Sequence, residues 1–271
     1  MHIDITRRRF RRRENLFIIK KGERIMKITF LGTSDGLPRP GHFRSSTMIE
    51  IEDRLYLIDG GAPVVDLILA NGKRPEKLKA FFNTHPHTDH VDGILSLITL
   101  AGWTYPETDF DLCVPDKCVT DAFVAYFETL TGVKYPHDRL RNRVFTEGVI
   151  YDDGYLKVTA IPTKHCPPMH SYAFLLEGEG KKVVFSGDLS QFFRGNDFPK
   201  VVLEEDIDLF VCEMAHFGEE HITPYLEKCR ARRVMFNHYQ PEKESHIESL
   251  ATPGRFPFPI SMAHDGESIE L

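Results

Sequence analysis

The chain has 271 residues, 41% of them hydrophobic, enough apolar content for one large core. No run of eighteen apolar residues occurs and no apolar stretch follows the N-terminal charges, which disfavours a membrane span and a secretory signal; five cysteines never spaced as CxxC disfavour a disulfide framework and a zinc knuckle. The net charge of −6 conceals a basic start, nine Lys and Arg against three Asp and Glu over residues 1–25, and so a body of −12 that is ill suited to tracking nucleic-acid phosphates.

The expectation is a cytoplasmic protein whose thiols are reduced. The basic start includes RRRFRRR at Arg7 to Arg13, while Met26 opens MKITFLGT, a natural first strand. Residues 1–25 are therefore read as a disordered tail or a misassigned start, the alternative being a basic arm that meets RNA or an acidic partner.

From Met26 onward, KITFL (27–31), TMIEIE (47–52) and RLYLID (54–59) carry the short apolar alternation of an antiparallel meander. A helix is expected over 64–70, then the turn NGKRP and the buried strand LKAFFN. The run VDGILSLITL (91–100) has apolar residues at helical spacing. Further strands are expected at 110–114, 155–161, 172–176, 182–186, 209–212 and 233–236, with helices near 116–131 and 223–231. Strands in both halves with interspersed helices point to an α+β fold of sheet packed on sheet, formed as one domain over 26–271.

Between the strand LKAFFN and the helix lies FFNTHPHTDHVDG (81–93), which sets His85, His87, Asp89 and His90 within six residues. His85 and His87, two apart in an extended segment, project from one side and can hold one metal ion. Asp89 and His90 fall where the chain turns into the helix and can reach a neighbouring ion. A histidine-rich surface loop is the bland alternative, and the buried runs on both sides weigh against it.

THPHTDH resembles the HxHxDH signature of the metallo-β-lactamase fold superfamily. That resemblance implies an αββα sandwich of two mixed sheets with a binuclear site at one edge. Further landmarks follow in order: LIDGG with Asp59 as a supporting carboxylate, TKHCPPMHSYAF with His165, FSGDLS with Asp188 and VMFNHYQ with His238. It implies His85, His87 and His165 on one divalent ion, Asp89, His90 and His238 on the other, and Asp188 bridging, so that Asp89 and Asp188 are catalytic candidates as well as ligands. Such a pair of ions deprotonates a bridging water to hydroxide and polarises a substrate oxygen. Zinc is the expected metal, with manganese and iron as alternatives for these ligand types. His170 and Cys166 compete with His165, which is preferred for its seven-residue separation from Tyr172; His264, in SMAHDGES, competes with His238.

The opening FLGTSDGLPRPGHFRSST and the FSGD segment resemble the ribonuclease Z-like phosphodiesterase branch. VCEMAHF followed by HIT resembles that branch's glutamate strand end and its later histidine, implying Glu213 and His221 as a pair that protonates the leaving oxygen. One departure counts against transfer RNA as substrate. The arm that grips it falls between the third histidine motif and the bridging aspartate, whereas His165 and Asp188 are here only 23 residues apart, room for a hairpin. The reading is a binuclear phosphodiesterase acting on a small phosphodiester or short nucleotide, with a thioesterase or lactonase as the alternative and a non-catalytic binding protein as a third. Relatives of the fold often form homodimers. Trp103, Tyr105, Phe123, Tyr126 and Phe127 lie where such folds build cover over the metals and are candidates for an aromatic wall, with ordinary core packing as the competing reading of the helical trio.

Overall fold

The computed structural model describes residues 25–37, 39–190 and 196–271. The basic arm expected over 1–25 lies outside these residues, Ile25 apart. The strands are β1 (Met26–Gly32), β2 (Ser46–Ile51), β3 (Arg54–Ile58), β4 (Leu78–Phe82), β5 (Phe110–Val114), β6 (Leu140–Val144), β7 (Gly148–Asp152), β8 (Lys157–Pro162), β9 (Tyr172–Gly178), β10 (Lys181–Phe185), β11 (Leu209–Glu213), β12 (Val234–Asn237), β13 (Ile260–Met262) and β14 (Ser268–Glu270). The helices are α1 (Val64–Ala70), α2 (Thr88–Trp103), α3 (Lys117–Thr131), α4 (Val201–Glu204), α5 (Glu219–Leu226) and α6 (Glu244–Leu250).

Seven strands form each of two mixed sheets, ordered β14-β1-β2-β3-β4-β5-β6 and β13-β12-β11-β10-β9-β8-β7. β1 to β3 are the antiparallel meander expected from the alternation, and β3 to β6 run parallel. The second sheet repeats that plan: β7 to β10 are antiparallel and β10 to β13 parallel.

Three apolar clusters define the layers. Ile28, Tyr56 and Phe82 from the first sheet meet Val158, Phe174 and Val211 from the second between the sheets. Ile94, Leu97, Phe123 and Phe127 of α2 and α3 cover the outer face of the first sheet, and Ile222, Leu226, Ile247 and Leu250 of α5 and α6 cover that of the second. The fold is the αββα sandwich. Strands covered on both faces read as nearly continuous apolar runs, as β4 (LKAFF) and β11 (LFVCE) do. Each fully buried aromatic in this stack contributes about 1.5–3 kcal/mol through the water it sheds.

The parallel strands decide where chemistry can sit. Their carboxyl ends lie at one edge of the sandwich, where the chain leaves the hydrogen-bonded ladder and its side chains are free to converge. Some elements were not expected from sequence. β6 and β7 are edge strands with only Leu140 buried, so neither carries an apolar signature. α5 begins at Glu219, a turn before the expected 223, and accommodates Pro224, while α6 buries only Ile247 and Leu250. Among the described residues no helix is long and apolar enough to cross a membrane.

Candidate active site

The first side of the site is built where β3 and β4 end. Asp59 follows β3 with a left-handed backbone (φ 56°), an uncommon conformation outside glycine. Its carboxylate accepts Thr84 N–H (2.8 Å), Thr84 Oγ1–H (2.8 Å), Asn83 Nδ2–H (3.1 Å) and His90 Nδ1–H (2.7 Å). One buried anion thereby fixes both ends of the segment 84–90. Thr84 gives its single hydroxyl proton to Asp59, so its oxygen accepts from His85 Nδ1–H at 3.0 Å, and both His85 and His90 turn Nε2 into the site. Glycine makes the packing beneath possible: a Cβ on Gly61 would meet the Asp89 carbonyl at 1.6 Å, and one on Gly93 the Ala62 carbonyl at 1.6 Å. That approach lets Gly60 and the start of α2 exchange hydrogen bonds, Gly60 N–H to His90 O and Gly93 N–H to Gly60 O, both 2.7 Å.

The second side comes from four connections. His165 lies between β8 and β9, Asp188 follows β10, Glu213 ends β11 and His238 follows β12 with a left-handed backbone (φ 47°). His238 Nδ1 is 3.2 Å from the Ser34 carbonyl, which takes its proton and leaves Nε2 facing Asp188.

The resulting separations test whether divalent ions fit. His85 Nε2 is 3.0 Å from His87 Nδ1, which is 3.2 Å from His165 Nε2; Asp188 Oδ2 lies 3.6 Å from His85 and 3.4 Å from His165. Ligands about 2.0–2.1 Å from a tetrahedral zinc sit about 3.3 Å from one another. Beside this cluster, His90 Nε2 is 3.4 Å from Asp89 Oδ2 and 3.5 Å from Asp188 Oδ1, and His238 Nε2 is 3.3 Å from Asp188 Oδ2. His90 Nε2 is buried and makes no hydrogen bond although it faces Asp89 and Asp188, the position of a candidate metal ligand. The donor set fits metal ions, and Asp188 reaches both clusters.

The electrostatics of the two clusters differ. Burial, helped by neighbouring histidines, lowers His85 well below the ordinary imidazole range, lowers His87, and takes His165 to about 4. These rings are neutral, the form that binds metal. Burial also disfavours charge on His90 and His238, but Asp188 overrides it for both, joined by Asp59 at His90, and raises them. Burial likewise opposes ionisation of Asp188 and Asp89; His238, His90 and His85 hold Asp188 well below the usual carboxylate range, and His90 brings Asp89 to about 2.

One residue was not named from sequence. His216, just beyond β11, places Nδ1 2.9 Å from Glu213 Oε2 and 3.9 Å from Asp188, with its ring 4.5 Å from that of His165. Glu213 is spent on this pair and on the N–H groups of Leu189, Ala215 and His216. The expected Glu213–His221 pair is thus replaced by Glu213–His216. His221 sits in the first turn of α5 with Nδ1 2.8 Å from Glu220. The Glu-x-x-His spacing of CEMAH was the available signal, since a turn after a strand end returns the fourth residue toward the first.

Other competitors lie elsewhere. His264 is exposed and donates its N–H to Glu267, and the adjacent Asp265 carboxylate anchors Thr33. His170 is largely exposed and its Nδ1 meets Asp116 at 2.7 Å; buried Cys166 turns its thiol toward the Met169 and His170 carbonyls. Three of the five candidates for an aromatic wall lie away from the site. Phe123 and Phe127 are buried against α2, and Trp103 ends α2 whereas the ligands begin it, roughly 20 Å away along the helix.

The chain has the metallo-β-lactamase fold, with a cluster of candidate metal ligands at one edge of the sandwich. Its sequence is 33% identical over 153 residues to a ribonuclease Z of Synechococcus sp. (strain CC9311), covering 54% of this chain and 48% of that protein, and 32% identical over 161 residues to a ribonuclease BN of Cronobacter sakazakii, covering 58% and 51%. The family model for Anti-Pycsar protein Apyc1 matches residues 26–254, and the chain belongs to that family. The chain spans about half the length of the ribonuclease relatives. Among solved structures, the metallo-β-lactamase fold protein YhfI from Bacillus subtilis superposes with a TM-score of 0.73 at 19% identity (91% of this chain, 100% of that one), and unliganded yeast PDE1 with 0.69 at 13% (92% and 100%).

Proposed function

We propose that the protein is a two-metal phosphodiesterase acting on a small phosphodiester or nucleotide. The observation that carries this reading is the Asp188 carboxylate, placed 3.3–3.6 Å from ring nitrogens of both histidine clusters. His85, His87, His165 and Asp188 would hold one divalent ion, and Asp89, His90, His238 and Asp188 the other, zinc being the first candidate. Bound there, the ions supply Lewis acidity toward a phosphoryl oxygen and acidify a water. Asp59 and Thr84 fix the imidazole tautomers so that each ring keeps one nitrogen for the site. His216 carries the proton: burial opposes its charge, but Glu213 and Asp188 raise it to about 9 in the absence of cations, which favours the protonated ring. Its place beside Asp188 suits donation to a leaving alkoxide.

Two facts favour a small substrate. The 22 residues between His165 and Asp188 carry the β9–β10 hairpin, which leaves no room there for an arm that grips transfer RNA. The names of the fold's relatives, ribonuclease Z, yeast PDE1 and a diphosphatase of the PhnP family, share phosphate-ester or anhydride chemistry. The one-domain organisation over 26–271 and a homodimer belong to the same proposal.

The test is turnover of bis(p-nitrophenyl) phosphate by chelator-stripped protein reloaded with zinc or manganese, followed by cyclic nucleotides and short RNAs. Metal-dependent release is the expected result. A protein that binds two ions and cleaves thioesters or lactones but no phosphodiester overturns the reading.

A further inference from the structure

His165 and Asp188 reach the site on separate stretches of chain, yet His165 Nε2 and Asp188 Oδ2 stand 3.4 Å apart, within the span one ion tolerates. The His165 stretch has two fasteners of its own. Ser171 Oγ accepts His165 N–H at 3.0 Å and Thr163 Oγ1–H at 2.7 Å, and Asp116 accepts His170 N–H at 3.0 Å and meets His170 Nδ1 at 2.7 Å. Neither touches the Asp188 stretch.

Asp197 touches both. It is 8% exposed, and its Oδ2 accepts the backbone N–H of Lys164 at 2.8 Å and that of Ser190 at 3.1 Å, with Oδ1 3.2 Å from the same Ser190 nitrogen. Lys164 directly precedes His165, and Ser190 lies two residues beyond Asp188. An ionised acceptor makes such bonds roughly twice as strong as neutral ones. No ligand role competes for this carboxylate, which belongs to none of the metal-ligating clusters.

We propose that Asp197 is a positioning residue that clamps the His165 and Asp188 stretches together and so sets the metal-binding separation across the site. The inference rests on the two-metal reading above. A buried carboxylate is costly to desolvate, and a neutral side chain would serve packing alone better. What the carboxylate adds is a common acceptor for two backbones beyond the end of the β9–β10 ladder, whose pairing stops at Phe174 and Phe185.

The experiment uses the full chain, stripped with chelator, and titrates zinc against a chromogenic chelator for wild type, Asp197→Ala, Asp197→Asn and Asp197→Glu, with thermal unfolding of each stripped protein. Loss of such a supporting contact typically weakens metal binding by about 10–100-fold. That loss is expected for Asp197→Ala in the weaker-held ion, with Asp197→Asn recovering most of it, because one amide oxygen can take both N–H groups that meet Oδ2. Asp197→Glu keeps the charge but moves the acceptor by a methylene, so it is expected to remain folded and bind zinc less tightly. Wild-type zinc affinity in a folded Asp197→Ala, or in Asp197→Glu where the alanine variant fails to fold, overturns the proposal. A wild type that takes up no zinc instead overturns the metal reading beneath it.

Discussion

Residues 84–90 deliver four of the candidate ligating side chains from one continuous turn between β4 and α2, whereas the facing side gathers His165, Asp188, Glu213, His216 and His238 from four separate connections of the second sheet. The continuous side needs few ties, all to the end of β3: one carboxylate, Asp59, and close approach at Gly61 and Gly93. The gathered side depends on how β8 to β12 stand relative to one another, and it needs ties such as Ser34 to His238 and Asp197 to two backbones. The comparison teaches that the same kind of ligand can be held by connectivity or by packing, and that the second is more exposed to disturbance from a distance.

The largest expected effect breaks the link between the two sides. Asp188→Ala should cut phosphodiester turnover by about 10⁴-fold or more, the scale seen when one member of a catalytic unit is lost, with the fold retained. Circular dichroism beside the p-nitrophenol assay checks it, and unchanged turnover in a folded variant removes the mechanism.

Next, the gathered side can be divided residue by residue. His216→Ala should lower kcat by about 10²–10⁴-fold, the usual contribution of a positioned acid, while His221→Ala should change it by no more than about threefold. The pH profile supplies the sign: activity needs protonated His216, so the rate falls as pH rises through its pKa. That pKa is about 9 without cations and is pulled down by bound ones. The alkaline limb should vanish in His216→Ala. Equal losses in the two variants would return the role to His221.

The smallest effect distinguishes the clusters by charge. His90 and His238 have raised affinities for protons, held there by Asp188, whereas His85, His87 and His165 are already neutral. Metal competes with protons more at the former, so its affinity there rises more steeply with pH. Calorimetric zinc titration at pH 7 in buffers of different ionisation heat should show more proton release on filling the His90–His238 site than on filling the other. Equal release for both would erase the distinction.

Much of this was legible before folding was considered. His85, His87, Asp89 and His90 declare themselves because the chain itself brings them together, and the apolar runs of β1 to β5 and β9 to β12 are readable because those strands are covered on both faces. β6, β7 and α6 were not legible, since an edge strand or a short helix with one or two buried residues imposes little pattern on its sequence.

By itself the sequence determined the sheet-on-sheet fold class and the 85–90 cluster, because local spacing and apolar periodicity are properties of the chain, while His165, Asp188 and His238 followed from the resemblance of their motifs to the superfamily. The pairing of Glu213 with His216 rather than His221 and the place of Asp197 were decided by tertiary structure alone, which also brings the expected His238, and not His264, to Asp188. These residues are distant in sequence from their partners, and which of several similar side chains reaches a cluster depends on how strand ends converge at the sheet edge, a geometry that no local pattern encodes.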